Sequence, residues 1–106
     1  MSDLVKCFAA LADPTRLRLL ALMRKGEICV CHLQEVIRTN QPKISRHLAY
    51  LKRSGLVKAR REGRWMYYRL AKLKEPEASI VVTVLKALER QPLAQQDAKH
   101  LDRIGR

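Results

Sequence analysis

The residues with the clearest chemical potential are two cysteines two positions apart, Cys29 and Cys31. Thiolates are soft ligands, so they select soft, thiophilic ions. Two of them in one short segment can chelate an ion, and a third thiolate would complete a trigonal site. Arg24 and Lys25 precede the pair, and positive charge near a helix N-terminus favours the thiolate form of cysteine. The pair therefore predicts a site for a thiophilic metal or metalloid.

The third cysteine, Cys7, lies far from the pair in the sequence, beside Phe8 in an apolar segment. One interpretation makes it a third metal ligand. The other is structural, because free cysteine often behaves as a small buried hydrophobic side chain. Both interpretations stay open for Cys7, whereas the spacing of the pair favours ligation.

Length and charge limit the class of protein. A chain of 106 residues is expected to form one domain. Its 22 Lys and Arg against 10 Asp and Glu give a formal net charge of +12, which indicates an anionic partner, nucleic acid before membrane. No segment approaches the ~20 apolar residues that cross a bilayer, and no signal peptide is expected. We therefore expect a cytoplasmic protein whose cysteines are free thiols or ligands, not disulfides.

Capping residues and apolar spacing predict five helices and a hairpin. Asp13 and Asn40 are suited to cap helices, and Gly26 and Gly55 are suited to end them. A tight turn at 62–64 separates two extended runs, and Trp65 is expected to pack beneath this hairpin as core. The predicted elements are helices at 4–11, 14–25, 31–38, 41–53 and 76–90, and strands at 56–61 and 65–70.

This order predicts a winged helix-turn-helix, a mainly α fold with a β-hairpin wing. The helix at 76–90 is more apolar than one exposed terminal helix needs. We interpret it, together with the first helix, as the surface of a homodimer; the alternative is a helix folded back on its own core. Residues 1–92 are then a DNA-binding and dimerisation domain, and residues 93–106 are expected to be a polar, weakly helical tail.

The fourth helix has the pattern of a DNA recognition helix. At 100° per residue, Ile44, Leu48 and Leu51 face the core and a basic stripe faces away. The N-terminal end of such a helix reads base edges in the major groove, where arginine suits guanine and glutamine suits adenine. Basic residues of the hairpin would contact phosphate or the minor groove. The candidate DNA-binding residues are Gln41, Lys43, Ser45, Arg46, His47, Tyr50, Arg60 and Arg64.

Three strings carry a family resemblance: LADPTRL at 11–17, EICVCHL at 27–33 and QPKISRHL at 41–48. Together they resemble the ArsR/SmtB family of metalloregulatory repressors, most of all its arsenical-resistance repressors, over about Leu4 to Leu70. The resemblance implies a homodimer that binds operator DNA without ligand and releases it on binding arsenite, antimonite or a soft divalent metal. It places Cys29 and Cys31 on positions that ligate As(III) or Sb(III).

The chain departs from the family pattern at two positions. Gln34 stands where a third cysteine is usual, and His32 stands where an acidic residue is usual. The resemblance makes Cys7 the candidate to complete the metal site, since cadmium- and lead-sensing members use N-terminal cysteines. We interpret His32 as solvated, with ligation as the alternative. The last-helix site of zinc-sensing members is not matched by the set Asp97, His100 and Asp102.

Helical side chains at i and i+2 diverge, so Cys29 and Cys31 can grip one ion only from an extended or unwound first turn. Binding would then distort the third helix, which we expect to pack directly against the recognition helix. The leading hypothesis is a repressor whose inducer is As(III) or Sb(III), without a catalytic cofactor.

Three alternatives remain open. The thiols could form a redox switch on the same DNA-binding unit, or the same fold could sense Cd or Pb. More remotely, the chain could be a basic RNA-binding or nucleoid protein. An enzyme is not expected, because no Ser/His/Asp set, Gly-rich phosphate loop or pair of carboxylates stands out.

Overall fold

The computed structural model describes residues 1–105 of the chain. Within them, helices and strands follow the predicted order, with one strand and one helix added. The elements are α1 (Ser2–Leu11), α2 (Pro14–Leu22), β1 (Ile28–Cys29), α3 (Val30–Ile37), α4 (Gln41–Arg53), β2 (Val57–Glu62), β3 (Trp65–Leu70), α5 (Glu77–Leu88) and α6 (Pro92–Ile104).

Side-chain caps fix the start of two central helices, as predicted. Asp13 Oδ2 accepts a hydrogen bond from the backbone N–H of Arg16 at 3.0 Å, and Asn40 Oδ1 accepts one from Lys43 at 2.9 Å. Each cap satisfies an N–H group that has no partner within its helix. α3 ends at Arg38 in the left-handed conformation, with φ 55°. The short turn that follows connects α3 to α4, the predicted recognition helix.

The wing is a three-stranded antiparallel sheet in the order β1-β3-β2. β2 and β3 form the predicted hairpin, paired from Val57 opposite Leu70 to Glu62 opposite Trp65. β1 was not predicted, because two residues are too few to show alternation in a sequence. The first cysteine of the pair belongs to this added strand, so it is joined directly to the wing.

The core forms between the helices and the inner face of the sheet. The predicted stripe of α4, Ile44, Leu48 and Leu51, is buried there. α2 packs against both α3 and α4, whereas the main contacts of α3 are with α6, β3 and α2. α3 was expected to pack directly against the recognition helix, but its packing against α4 is weaker than its packing against these elements. The thiol segment contacts the wing more closely than it contacts the recognition helix.

Trp65 does not pack beneath the wing as core, contrary to the expectation. It is 46% exposed, and Tyr68 packs against the core instead. Side chains alternate between the two faces of a strand, so residues 65 and 68 of β3 point to opposite faces. Trp65 also lies at the turn end of the hairpin, opposite Glu62.

The segment expected to be a polar tail is helix α6, which packs against α2 and α3. Leu101 is buried among core side chains. Asp97, also buried, accepts two hydrogen bonds of 2.8 Å from the guanidinium of Arg18 on α2. A helix with one apolar stripe and one buried ion pair needs a partner surface, and distant residues of the chain provide it.

α5 has one face buried in the protein's own core and another face that is exposed and apolar. Val81 and Leu85 are buried against the chain's own core. Val82, on another face, is 49% exposed. Two apolar residues of α1 are also exposed, Val5 at 57% and Phe8 at 53%. Among residues 1–105, no helix combines the length and apolar character needed to cross a membrane.

Candidate functional site

The two cysteines of the pair occupy a strand-to-helix junction. Cys29 ends β1 and caps α3, with φ −64° and ψ 138°, and its Sγ accepts a hydrogen bond from the Cys31 N–H at 3.3 Å. Cys31 follows in the first turn of α3. The backbone thus changes from extended to helical between them, which is the geometry that lets two sulfurs turn toward one ion.

A cavity between this junction and the wing contains both thiols. Its wall includes the half-buried imidazole of His32, whose buried Nδ1 has no hydrogen-bond partner within residues 1–105. The two thiols are donors that suit a soft ion. The residues lining this cavity, called the thiol cavity below, are Glu27, Cys29, Cys31, His32, Trp65 and Tyr67.

Cys7 lies elsewhere in the chain. It is buried in α1 and borders a separate cavity, together with Arg53, Leu73 and Glu77. Within residues 1–105, no three Cys, His, Asp or Glu side chains are grouped so that they could hold a metal ion. One chain in this conformation therefore does not bring Cys7 to Cys29 and Cys31.

Burial favours the protonated form of two thiols. It raises the pKa of Cys31 to about 11, and contact with Cys29 adds to the effect. Burial and the negative charge of Glu77 raise the pKa of Cys7. The expected thiolate-favouring environment is thus wrong for Cys31, and the Arg24 guanidinium is engaged with Glu89 at 2.7 Å instead.

Four of the candidate DNA-binding residues are exposed on the first turns of α4: Gln41, Lys43, Ser45 and Arg46. This end of a recognition helix is the one that enters the major groove. This end of α4 therefore exposes one amide, one hydroxyl and two cations, which are groups that can bind base edges and phosphates.

His47 and Tyr50 on the same helix are half-buried and contact a residue that the sequence did not single out, Arg16. Arg16 lies 3.3 Å from His47 Nδ1, and its guanidinium stacks 4.1 Å from the centre of the Tyr50 ring. It also donates to the backbone carbonyls of Ala9 and Ala10 at the end of α1. Arg16 thus ties the recognition helix to α1. In the sequence, Arg16 is marked only by its position near the start of α2, three residues after the cap Asp13.

The two wing candidates differ in their surroundings. Arg64 is exposed at the tip and lies 5.5 Å from the Trp65 ring. Arg60 donates to both carboxylate oxygens of Glu27 at 2.7–2.9 Å and to Glu62 at 3.0 Å, and it stacks on Tyr67. The Arg60 hydrogen bonds lower the pKa of Glu27, and these carboxylates raise the pKa of Arg60. Glu27 was not predicted as a site residue, because its partner is 33 positions away.

Comparison with known proteins agrees with this geometry. A model of the arsR family of bacterial regulatory proteins matches residues 13–59. ArsR1, an arsenic resistance transcriptional regulator of Pseudomonas putida, is 53% identical over 64 residues, which are 59% of this chain and 50% of that protein. The chain spans about half the length of the arsenic-resistance relatives it matches.

Two further matches cover more of both chains. A probable mercury resistance operon repressor of Streptomyces lividans is 36% identical over 90 residues, 85% of this chain and 70% of that protein. A homodimeric winged helix-turn-helix DNA-binding domain of Mycobacterium bovis, a possible ArsR-family regulator, matches with a TM-score of 0.70 at 34% identity, over 83% of this chain and 80% of that one. The predicted winged helix-turn-helix fold is confirmed, and the chain belongs to the arsR family of bacterial regulatory proteins.

Proposed function

We propose that the protein is a cytoplasmic, homodimeric transcriptional repressor that binds operator DNA and releases it when As(III) or Sb(III) binds Cys29 and Cys31. The observation that carries the proposal is the thiol pair at the junction of β1 and α3, in a chain of the arsR family. The junction is continuous with the wing through β1 and with the helix-turn-helix through α3. A change of its backbone therefore acts on DNA-binding elements without an intermediate domain.

Operator recognition would use the exposed residues of α4, with Arg46 and Gln41 on base edges and Lys43 and Ser45 on bases or phosphates. Arg64 at the wing tip would contact the backbone or the minor groove. With a net charge of +12 per chain, binding is expected to weaken steeply with salt. We propose that His47 and Tyr50 contribute to DNA binding by orienting α4.

The homodimer would form through the exposed apolar residues of α1 and α5, Val5, Phe8 and Val82. Two recognition helices must be separated by about 34 Å to enter successive major grooves on one side of DNA. One half-site alone would bind weakly, so operator affinity depends on this surface. The homodimeric domain from Mycobacterium bovis supports a homodimer.

The ligand set starts from Cys29 and Cys31. Cys7 can complete it only through the partner protomer or a movement of α1, since it borders a different cavity. A soft divalent cation is a second candidate, because thiolates bind soft cations as well as metalloids and His32 also lines the thiol cavity. The mercury-resistance relative supports this class of ligand as well.

The deciding experiment is a titration of operator binding with arsenite under strong reductant, followed by fluorescence anisotropy of labelled DNA. We expect release for the wild type and loss of release for Cys29→Ser and Cys31→Ser. Cadmium and an oxidant without arsenite are the two parallel titrations. Release by cadmium alone would favour the divalent sensor, and release by oxidant alone would favour a redox switch.

A further inference from the structure

Arg60 touches two walls of the thiol cavity at the same time. Its guanidinium donates three hydrogen bonds of 2.7–2.9 Å to the Glu27 carboxylate and lies 4.7 Å from the centre of the Tyr67 ring. Glu27 and Tyr67 both line the cavity that contains Cys29 and Cys31. Among the described residues of the wing, Arg60 is the cation that both hydrogen-bonds to Glu27 and stacks on Tyr67, so it links the cavity to β2.

The register of the sheet gives this link a backbone counterpart. Cys29 of β1 is opposite Tyr67 of β3, and Arg60 of β2 is opposite the same Tyr67. Residues directly opposite each other in antiparallel strands project on the same face of the sheet. Cys29, Tyr67 and Arg60 therefore form one cross-strand row, from the thiol pair to the outer strand of the wing.

We propose that Arg60 is a positioning residue that couples the thiol cavity to the wing. The Glu27–Arg60 pair holds the wing in its DNA-binding arrangement, and a thiophilic ligand in the cavity disrupts that pair. This inference rests on the proposed function, because it assumes that ligand binding at Cys29 and Cys31 controls operator binding.

The disruption follows from where the ligand must sit. An ion shared by Cys29 and Cys31 must lie on the cavity side of the junction, because both thiols line the thiol cavity. The ion also occupies space bordered by the Glu27 carboxylate and the Tyr67 ring, which are the two groups that Arg60 contacts. Displacement of either wall changes the position of Arg60 and, through it, β2. The coupling is reciprocal, so DNA binding must weaken ligand binding by the same factor.

The charge of Glu27 makes the proposal easy to test, because simple electrostatics predicts the opposite result. Removing a carboxylate from a DNA-binding protein should strengthen binding to phosphates. If the Glu27–Arg60 pair positions the wing, Glu27→Gln should weaken it. Glu62→Gln is the matched control: it removes the same charge and another Arg60 partner, at 3.0 Å, but Glu62 does not line the thiol cavity.

The experiment measures operator affinity for the wild type, Glu27→Gln, Arg60→Lys and Glu62→Gln, with and without arsenite under reductant. Allosteric effectors typically change affinity about 5- to 150-fold. We expect Glu27→Gln and Arg60→Lys to bind the operator more weakly without ligand and to reduce the arsenite effect to below about threefold. Lysine keeps the charge of Arg60 but cannot form the bidentate contact. Glu62→Gln should keep the wild-type ratio.

Ligand binding itself is read separately from the fluorescence of Trp65, the only tryptophan, which lines the cavity. Glu27→Gln should still bind arsenite with both thiols. Wild-type operator affinity and a full arsenite effect in Glu27→Gln would overturn the proposal, and so would loss of arsenite binding in that variant. If arsenite does not release the wild type from its operator, the proposed function is wrong. The operator affinities of Glu27→Gln and Glu62→Gln without ligand would still decide whether the Glu27–Arg60 pair holds the wing.

Discussion

At the residue scale, the thiol pair provides the softest ligands of the chain, and a substitution that keeps their shape isolates their chemistry. Serine is a hard, weakly acidic donor that cannot replace a thiolate on a soft ion. We therefore expect Cys29→Ser and Cys31→Ser each to keep operator affinity and lose most of the arsenite response.

Cys7→Ser is the informative comparison. A partial loss of response would make Cys7 a ligand, and an unchanged response would make it core. A Cys29→Ser protein that leaves its operator at the wild-type arsenite concentration would defeat the sensor assignment.

The high pKa of Cys31, about 11, predicts how pH separates the two classes of ligand. A divalent cation replaces the thiol proton, so its apparent affinity should rise with pH throughout the range below that pKa. Neutral arsenous acid instead exchanges hydroxide for thiol and releases water, so its affinity should change little. Titrations with cadmium and with arsenite between pH 6 and 8, followed by Trp65 fluorescence, would distinguish the two classes of ligand. Cys31→Ser is the control. Equal pH dependence for arsenite and cadmium would contradict this protonation scheme.

At the element scale, the recognition helix and the wing are expected to contribute differently. Arg46→Ala on α4 should cost ~1–3 kcal/mol at the operator and relax preference at one base position. Arg64→Ala on the wing tip should weaken all sequences alike and flatten the dependence of affinity on salt by about one unit. Affinities for operator and random DNA over a range of salt would test both. Equal loss on the two DNAs for Arg46→Ala would remove its base-reading role.

Helix α6 is expected to stabilise the domain through its buried ion pair. Asp97→Ala would leave the half-buried Arg18 without its carboxylate, at a cost of about 2 kcal/mol in the free energy of unfolding. Lys99→Ala, an exposed position on the same helix, is the control and should have little effect. Urea denaturation would measure both. Equal stability of Asp97→Ala and the wild type would indicate that α6 docks without help from this pair.

At the scale of the whole molecule, operator binding should require a second protomer. Val82→Glu places a charge on the exposed apolar face of α5, so it should dissociate the dimer without unfolding the protomer. Operator affinity should then be lost. Leu93→Glu, at an exposed leucine of α6, adds the same charge outside that surface and should leave dimerisation and operator affinity unchanged. Sedimentation and anisotropy would report the two effects, and a monomeric wild type with tight operator binding would contradict the prediction.

The sequence by itself determined the features that depend on neighbouring residues. Asp13 and Asn40 cap helices as predicted, because a cap acts within three residues of its position. The spacing of Ile44, Leu48 and Leu51 determined which face of α4 is buried. The cysteine pair and the three family strings identified the family, which the comparisons confirm.

Only the tertiary structure decided what depends on distant pairing. The contact of Glu27 with Arg60 spans 33 positions, and that of Arg18 with Asp97 spans 79. Nothing in the local sequence distinguishes Arg60, held by two carboxylates, from Arg64, which is exposed at the wing tip. The same reason explains β1 and α6, which are stabilised by β3, α2 and α3 more than by their own sequence patterns. Local signals reveal where an element begins and which face is apolar, but partners across the fold are chosen by packing.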